Sequence, residues 1–158
     1  MGEPQRIYRK RVSKASTAIH KAYTEIARQG FTRAKPINVG RLDKDVEAWS
    51  NANGVALGGK SLYMTARGLT HARRASKIRD GVAVSVSDMV AFPKDRKKME
   101  VFYEGGSFVY TDRKNKFIVH PNYVIKFPSG RKSRVNFITA SKVIDPNEFS
   151  NPKYKRIR

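Results

Sequence analysis

The sequence has no cysteine and only three histidines in 158 residues. Without thiols the fold cannot rest on disulfides or on thiolate-ligated zinc. His20, His71 and His120 stand far apart and show no metal-ligand spacing. Acidic residues are scarce as well, 13 in all, and no close pair or triplet of them stands in an apolar setting. A two-metal nuclease or polymerase centre needs converging carboxylates, so none is expected. No cofactor is expected either. Gly58-Gly59-Lys60-Ser61 ends like a phosphate-binding P-loop but lacks its first glycine at the required offset, and reads as a turn. No stretch approaches the roughly 20 apolar residues needed to cross a bilayer, and the basic N-terminus lacks the apolar region of a secretory signal. The expected location is therefore soluble and cytoplasmic.

What the chain has in excess is positive charge. Lys and Arg number 33, giving a formal net charge of +20 and a pI near 10.5. Such a surface repels itself and calls for a polyanionic counterpart. The natural partner is nucleic acid, RNA before DNA, because phosphates release condensed counterions to basic side chains. An acidic protein such as an inhibitor could also neutralise the surface. A membrane partner needs a strong apolar face beside the cations, which the small residues Ala15, Ala18 and Ala22 do not supply. The hydrophobic share of 39% and the aromatic share of 10% are spread along the chain, enough for a folded core.

Periodicity then divides the chain. Val12, Ala15, Ile19, Ala22 and Ile26 recur three or four apart, an amphipathic helix over 12–27 that Gly30 can stop. Arg6, Arg9, Lys10, Arg11 and Lys14 form a cationic run, readable as a solvated arm or as a phosphate-contacting one. Residues 30–36 read as a connector. Asp43 can cap a short helix that turns Val46 and Trp49 inward and ends at Gly54. Residues 55–57 and 61–64 read as extended pieces around the Gly58-Gly59 turn, and Thr65 as the N-cap of a third helix running to about Arg79. Residues 82–92 alternate like a strand at first, then read as a short helix that Pro93 terminates. Met99–Tyr103 and Phe108–Tyr110 flank Gly105-Gly106, a hairpin signal. Lys116–His120, Tyr123–Phe127 and Arg134–Thr139 continue as strands, broken by Pro121 and by Pro128-Ser129-Gly130. The tail, 145–158, reads as an irregular cover or a last short strand.

The expected architecture is α+β: N-terminal helices packed on an antiparallel meander of about four strands, with the other face of the sheet open. Residues 1–35 form a basic arm and helix and 36–158 the α+β body, together one compact domain.

On the predicted third helix, Arg67, His71 and Arg74 fall at spacings of four and three, which places them on one stripe. One imidazole titrating near neutrality and two fixed cations suit RNA cleavage without metal. Something must take the 2′-hydroxyl proton, and something must neutralise the phosphorane. The same residues also fit a solvated basic face with one surface histidine. Thr139 ends a strand, a usual place for a phosphate-binding hydroxyl. Lys60 before the helix, Lys77 on it, Asn136 in the late strand, and Tyr154, Lys155 and Arg156 in the tail are candidate nucleic-acid contacts, the last three as an aromatic interleaved with cations. His20 reads as structural, and His120, before Pro121 at a strand break, could reach an open site but reads rather as a turn histidine without a catalytic task.

Gly59-Lys60-Ser61-Leu62-Tyr63-Met64-Thr65, then Gly68-Leu69-Thr70-His71, a strand meander, and Val135-Asn136-Phe137-Ile138-Thr139-Ala140 together resemble the phage and polymorphic-toxin nucleases of the barnase, EndoU, colicin and RelE-like grouping. The likeness runs from about Val55 to Ile157, in order and residue type. It implies helices on a four-stranded antiparallel sheet and a metal-independent, toxin-like endoribonuclease that leaves a 2′,3′-cyclic phosphate. By the same resemblance His71 matches the helix histidine, and Thr139 with Asn136 the polar residues late in the sheet. Members of the grouping also occur attached to phage head proteins, which adds head proteins to the possible partners and the virion to the possible locations. The alternative reading is a non-catalytic basic nucleic-acid-binding or phage virion structural protein.

Overall fold

A computed structural model describes residues 5–158, and of Ile7, Tyr8 and Arg11 the backbone alone. Residues 1–4 of the basic arm, and the side chain of Arg11 in its cationic run, lie outside the described residues.

Helix α1 spans Gln5–Gln29 and buries Ala15, Ile19, Ala22 and Tyr23 along one stripe. It begins several residues before the apolar period does, because residues 5–11 hold four cations and only the adjacent pair Ile7-Tyr8, which makes no period to read. Gly30, at φ +85°, closes it with an N–H donated to Ile26 O at 2.7 Å. Strand β1, Ile37–Arg41, follows where the sequence carried no assignment. It packs against α1 through Ile37 and Val39, both buried. Helix α2, Lys44–Ala52, starts after Asp43 as expected, but the Asp43 side chain makes no cap. It accepts instead from Arg96 at 2.6 Å and Lys97 at 3.0 Å.

Residues 55–57, expected to be extended, are a loop that leads to strand β2, Ser61–Met64. The single helix expected over 65–79 is in fact two, α3 (Ala66–Ala72) and α4 (Ala75–Arg79), broken where Arg74 takes ψ 155°. The Arg73 guanidinium fastens the corner by donating to Val84 O at 2.5 Å. The Thr65 cap holds: its hydroxyl accepts from Gly68 N at 3.0 Å. Helix α5, Val86–Asp95, is capped by Ser85 and runs two residues beyond Pro93. A proline in the last turn forfeits only one late hydrogen bond, so it does not end the helix where expected.

Strands β3 (Glu100–Glu104) and β4 (Ser107–Thr111) form the expected hairpin, with Gly105 and Gly106 both at positive φ. Strands β5 (Asn115–Lys126) and β6 (Lys132–Lys142) are the longest; β5 passes through Pro121 with a bulge, where a break was expected. Strand β7, Lys155–Arg156, closes the order β1-β2-β6-β5-β4-β3-β7. The protein is thus α+β, with β3 to β6 as the expected four-stranded meander and three further short strands. The sheet is mixed, since β2 runs parallel to β6.

Strand alternation gives the sheet two different faces. Tyr110, Phe117 and Ala140 pair across β4, β5 and β6 on the helix side, as do Phe108, Val119 and Ile138. All six are buried, and Phe92 of α5 stacks on Phe117 at 4.2 Å. On the opposite side Val109, Ile118 and Thr139 form one row, and Ser107, His120 and Phe137 fall in the next. The tail covers the β3 end of this face, where Phe149 stacks on Phe102 at 5.1 Å. Over β5 and β6 the face is open.

Candidate functional site

The open part of the sheet is the floor of a cleft of about 760 Å³, within the range of ligand sites. Thr139 and Phe137 form the floor, and Thr65, Arg67 and His71 one wall. The wall can stand so close only because residue 68 is glycine: a Cβ there would meet the Phe137 ring at 2.9 Å and Ile138 O at 3.0 Å. The other wall is the far half of the β5–β6 hairpin, Tyr123 to Pro128. The bulge between His120 and Tyr123, with Asn122 at φ +57°, re-aims this half of β5. Tyr123, half exposed, stacks on Phe137 with centroids 5.2 Å apart.

His120 does not line the cleft but lies beside its floor, against Thr139 and Phe137. Its Nε2 lies 3.1 Å from Thr139 Oγ1 and its Nδ1 3.3 Å from Ser107 Oγ. Its ring centroid is 5.7 Å from Phe137 and 6.5 Å from Tyr123. Burial pushes its pKa below the usual 6.5. The turn expected at His120 is instead part of strand β5. The signal was available in part, since Phe117 and Val119 alternate as core residues and put His120 on the opposite face. Its partner Thr139 needed the register of β5 on β6.

His71 is exposed on α3 at the rim. The Arg74 guanidinium reaches it across the α3–α4 corner, with Nη1 3.5 Å from Nδ1. Its pKa is also lowered, first by partial burial and then by the positive charges of Arg74, Lys77 and Arg67. Arg67, His71 and Arg74 also line a shallow depression on the outer side of α3 with Thr32 and Thr70. The stripe expected on one helix is therefore assembled from two. Lys77 is half-buried and donates to Ala140 O at 3.0 Å, which fastens α4 to the end of β6. Burial, then Arg74 and Lys116, push its ammonium pKa down.

The remaining candidates lie elsewhere. Asn136 is fully buried: Gly58 N donates to its Oδ1 at 2.8 Å, and its Nδ2 donates to Gly59 O and Ser61 O. Its amide is spent on joining the Gly58-Gly59 loop to β6 and is absent from any surface a strand would touch. Tyr154 donates its hydroxyl to Glu148 and packs against Phe102 and Phe149. Lys155 and Arg156 form β7 at the far edge of the sheet, and Arg156 lies 3.4 Å from Glu100. Tyr154, Lys155 and Arg156 are thus separated from the cleft by β3 and β4. Lys60 is exposed at the end of β2 away from α3, and His20 is exposed on α1. Of the ten candidates, the structure gathers Arg67, His71, Arg74 and Thr139 in and beside the cleft, with Lys77 behind them.

Among the described residues, no three of His, Asp and Glu converge as a metal-holding group. No described helix is long and apolar enough to cross a membrane. The chain matches no protein-family model, no curated protein and no solved structure.

Proposed function

We propose that the cleft cleaves RNA by attack of a 2′-hydroxyl on its own 3′-phosphate, with two imidazoles as base and acid. The observation that supports this most is the setting of Thr139, which lines one cleft with His71 and Arg67 and whose Oγ1 lies 3.1 Å from His120 Nε2 beside the floor. His120, kept neutral by burial, accepts the 2′-hydroxyl proton at Nε2, displacing Thr139 Oγ1. The O2′–P bond forms as the P–O5′ bond breaks, and His71 as imidazolium gives its proton to the leaving O5′. The products are a 2′,3′-cyclic phosphate and a 5′-hydroxyl.

The cations give this assignment its logic. Partial burial, then the charges of Arg74, Lys77 and Arg67, lower the pKa of His71 in the free protein. A bound phosphate neutralises them and favours the imidazolium when the acid is needed. The same guanidiniums stabilise the extra charge of the phosphorane, while the Thr139 hydroxyl, released from His120, donates to a phosphate oxygen. The Tyr123–Phe137 stack offers a half-exposed aromatic face for the base of the scissile nucleotide.

The test compares His71→Ala with the parent on labelled RNA, with affinity and melting temperature measured beside cleavage. Loss of cleavage with affinity and fold retained is the expected outcome. Undiminished cleavage would remove His71 from the mechanism.

A further inference from the structure

A second basic feature lies beside α1. Lys10, Lys14 and Lys21 follow at spacings of four and seven, one stripe of the helix with Ala18 between the last two. Eleven residue-to-residue steps along the helix spread this stripe over about 16 Å. Facing it is the segment 33–36, with Arg33 and Lys35, and the two enclose a groove of about 790 Å³. All five cations are exposed, and among the described residues none of them is ion-paired with a carboxylate. The one carboxylate lining the groove is Glu25, whose Oε1 accepts from Thr32 Oγ1 at 3.2 Å.

The groove does not stand apart from the cleft. Ala34 and Pro36 line both, so one depression passes into the other over a small side chain and a proline ring. We infer that this groove holds the phosphate backbone of the single strand that flanks the scissile nucleotide, so that one RNA runs from the cleft onto α1. This rests on the reading of the cleft as an RNase site. No aromatic ring lines the groove. Its contacts therefore position a strand without reading its sequence, unlike the stacking face at Tyr123. The affinity it adds should grow with strand length and fall with salt.

The experiment uses the full chain with His120→Ala to prevent cleavage, and single-stranded RNA probes of two and about a dozen nucleotides in EDTA. Against this parent stands the variant Lys14→Gln/Lys21→Gln/Arg33→Gln/Lys35→Gln. These four side chains are exposed, so its melting temperature should match the parent's. Removing four phosphate contacts should flatten the slope of log affinity against log salt by roughly 3, at about 0.7 per contact on a single strand. The longer probe should lose affinity by roughly 10- to 100-fold while the dinucleotide loses far less. Lys21→Gln alone should flatten the slope by about 0.7, which keeps the test intact if the fourfold variant fails to fold. An unchanged slope and unchanged affinity for the longer probe would overturn the proposal, and would do so too if the groove serves an acidic protein instead. Because binding is read without scission, a protein that cuts no RNA would sink the catalytic reading and leave this measurement standing.

Discussion

His120 Nε2 stands 3.1 Å from Thr139 Oγ1, two residues brought together across β5 and β6 by a pairing in which Ile118 faces Thr139 and His120 faces Phe137. Ser107 holds the other ring nitrogen from β4 at 3.3 Å. The imidazole is fixed on both sides, as a positioned proton acceptor requires.

His120→Ala should therefore lower kcat by roughly 10²- to 10⁴-fold, the usual worth of a positioned base. Thr139→Val, which removes one hydroxyl and keeps the shape, should cost only about tenfold, near the net value of a hydrogen bond to a charged group. Steady-state rates on a short oligonucleotide decide both, and a His120→Ala rate equal to the parent's would dismiss His120 as the base.

The pH dependence has a sign. Both histidines titrate below 6.5, His120 through burial and His71 through burial and its cationic neighbours. On the proposed mechanism the base becomes competent, and the acid of the free protein is lost, on the acid side of that value. The kcat/KM profile should accordingly peak below about pH 6.5. Arg74→Gln removes one cause of the His71 depression and should move the falling limb to higher pH. The folded state also binds fewer protons at these histidines than the unfolded chain, so their contribution to stability is present above 6.5 and is lost as pH falls below it through their lowered folded values. An NMR titration of His71 above 6.5 would contradict this account.

Tyr123 is half exposed yet stacked on Phe137, a costly place for a ring that only packs. Tyr123→Ala should weaken single-stranded RNA binding by about 1–3 kcal/mol, and Tyr123→Phe should retain it, because stacking needs the ring and not the hydroxyl. Fluorescence anisotropy with a short RNA distinguishes the two; equal losses in both variants would point away from stacking.

Stability depends on a buried ion cluster far from the cleft. Arg96, 1% exposed, donates to Asp43 at 2.6 Å and lies against Gly40, where a Cβ would sit 2.5 Å from its Nη2. Burial alone would raise the Asp43 pKa, but the charges of Arg96, Lys97 and Arg158 bring it below the usual value. Gly40→Ala meets both that clash and a φ of +139°, and should cost roughly 2–3 kcal/mol in urea unfolding. Gly81→Ala, at φ +71° with nothing within 4 Å, should cost only the backbone strain of about 1 kcal/mol. Equal losses at the two positions would contradict the close packing of Arg96 on Gly40.

The amphipathic part of α1, the Gly105-Gly106 hairpin and the Thr65 cap were legible because each is signalled within a few residues. Strand β1 was not, since its five residues include a bulge and Gly40, and its neighbour β2 lies across α2 in sequence. The break at Arg74 was also hidden, because Ala72, Ala75 and Ser76 offer a helix nothing to stop it. His71, Arg67 and Thr139 could be nominated from residue type and spacing. Asn136 looked equally polar, but only the fold reveals that its amide ties down the Gly58-Gly59 loop. The face of His120 follows from the alternation of Phe117 and Val119, but its contact with Thr139 and the place of Tyr123 owe to a strand register and a bulge that no local pattern encodes.

The most direct measurement incubates the purified chain with 3′-labelled and unlabelled RNA in EDTA and identifies the new ends by mass spectrometry. Scission with 2′,3′-cyclic phosphate and 5′-hydroxyl ends is expected, slowed by roughly 10²-fold or more in His71→Ala and His120→Ala. RNA that is bound but left intact, or ends bearing a 5′-phosphate, would contradict it.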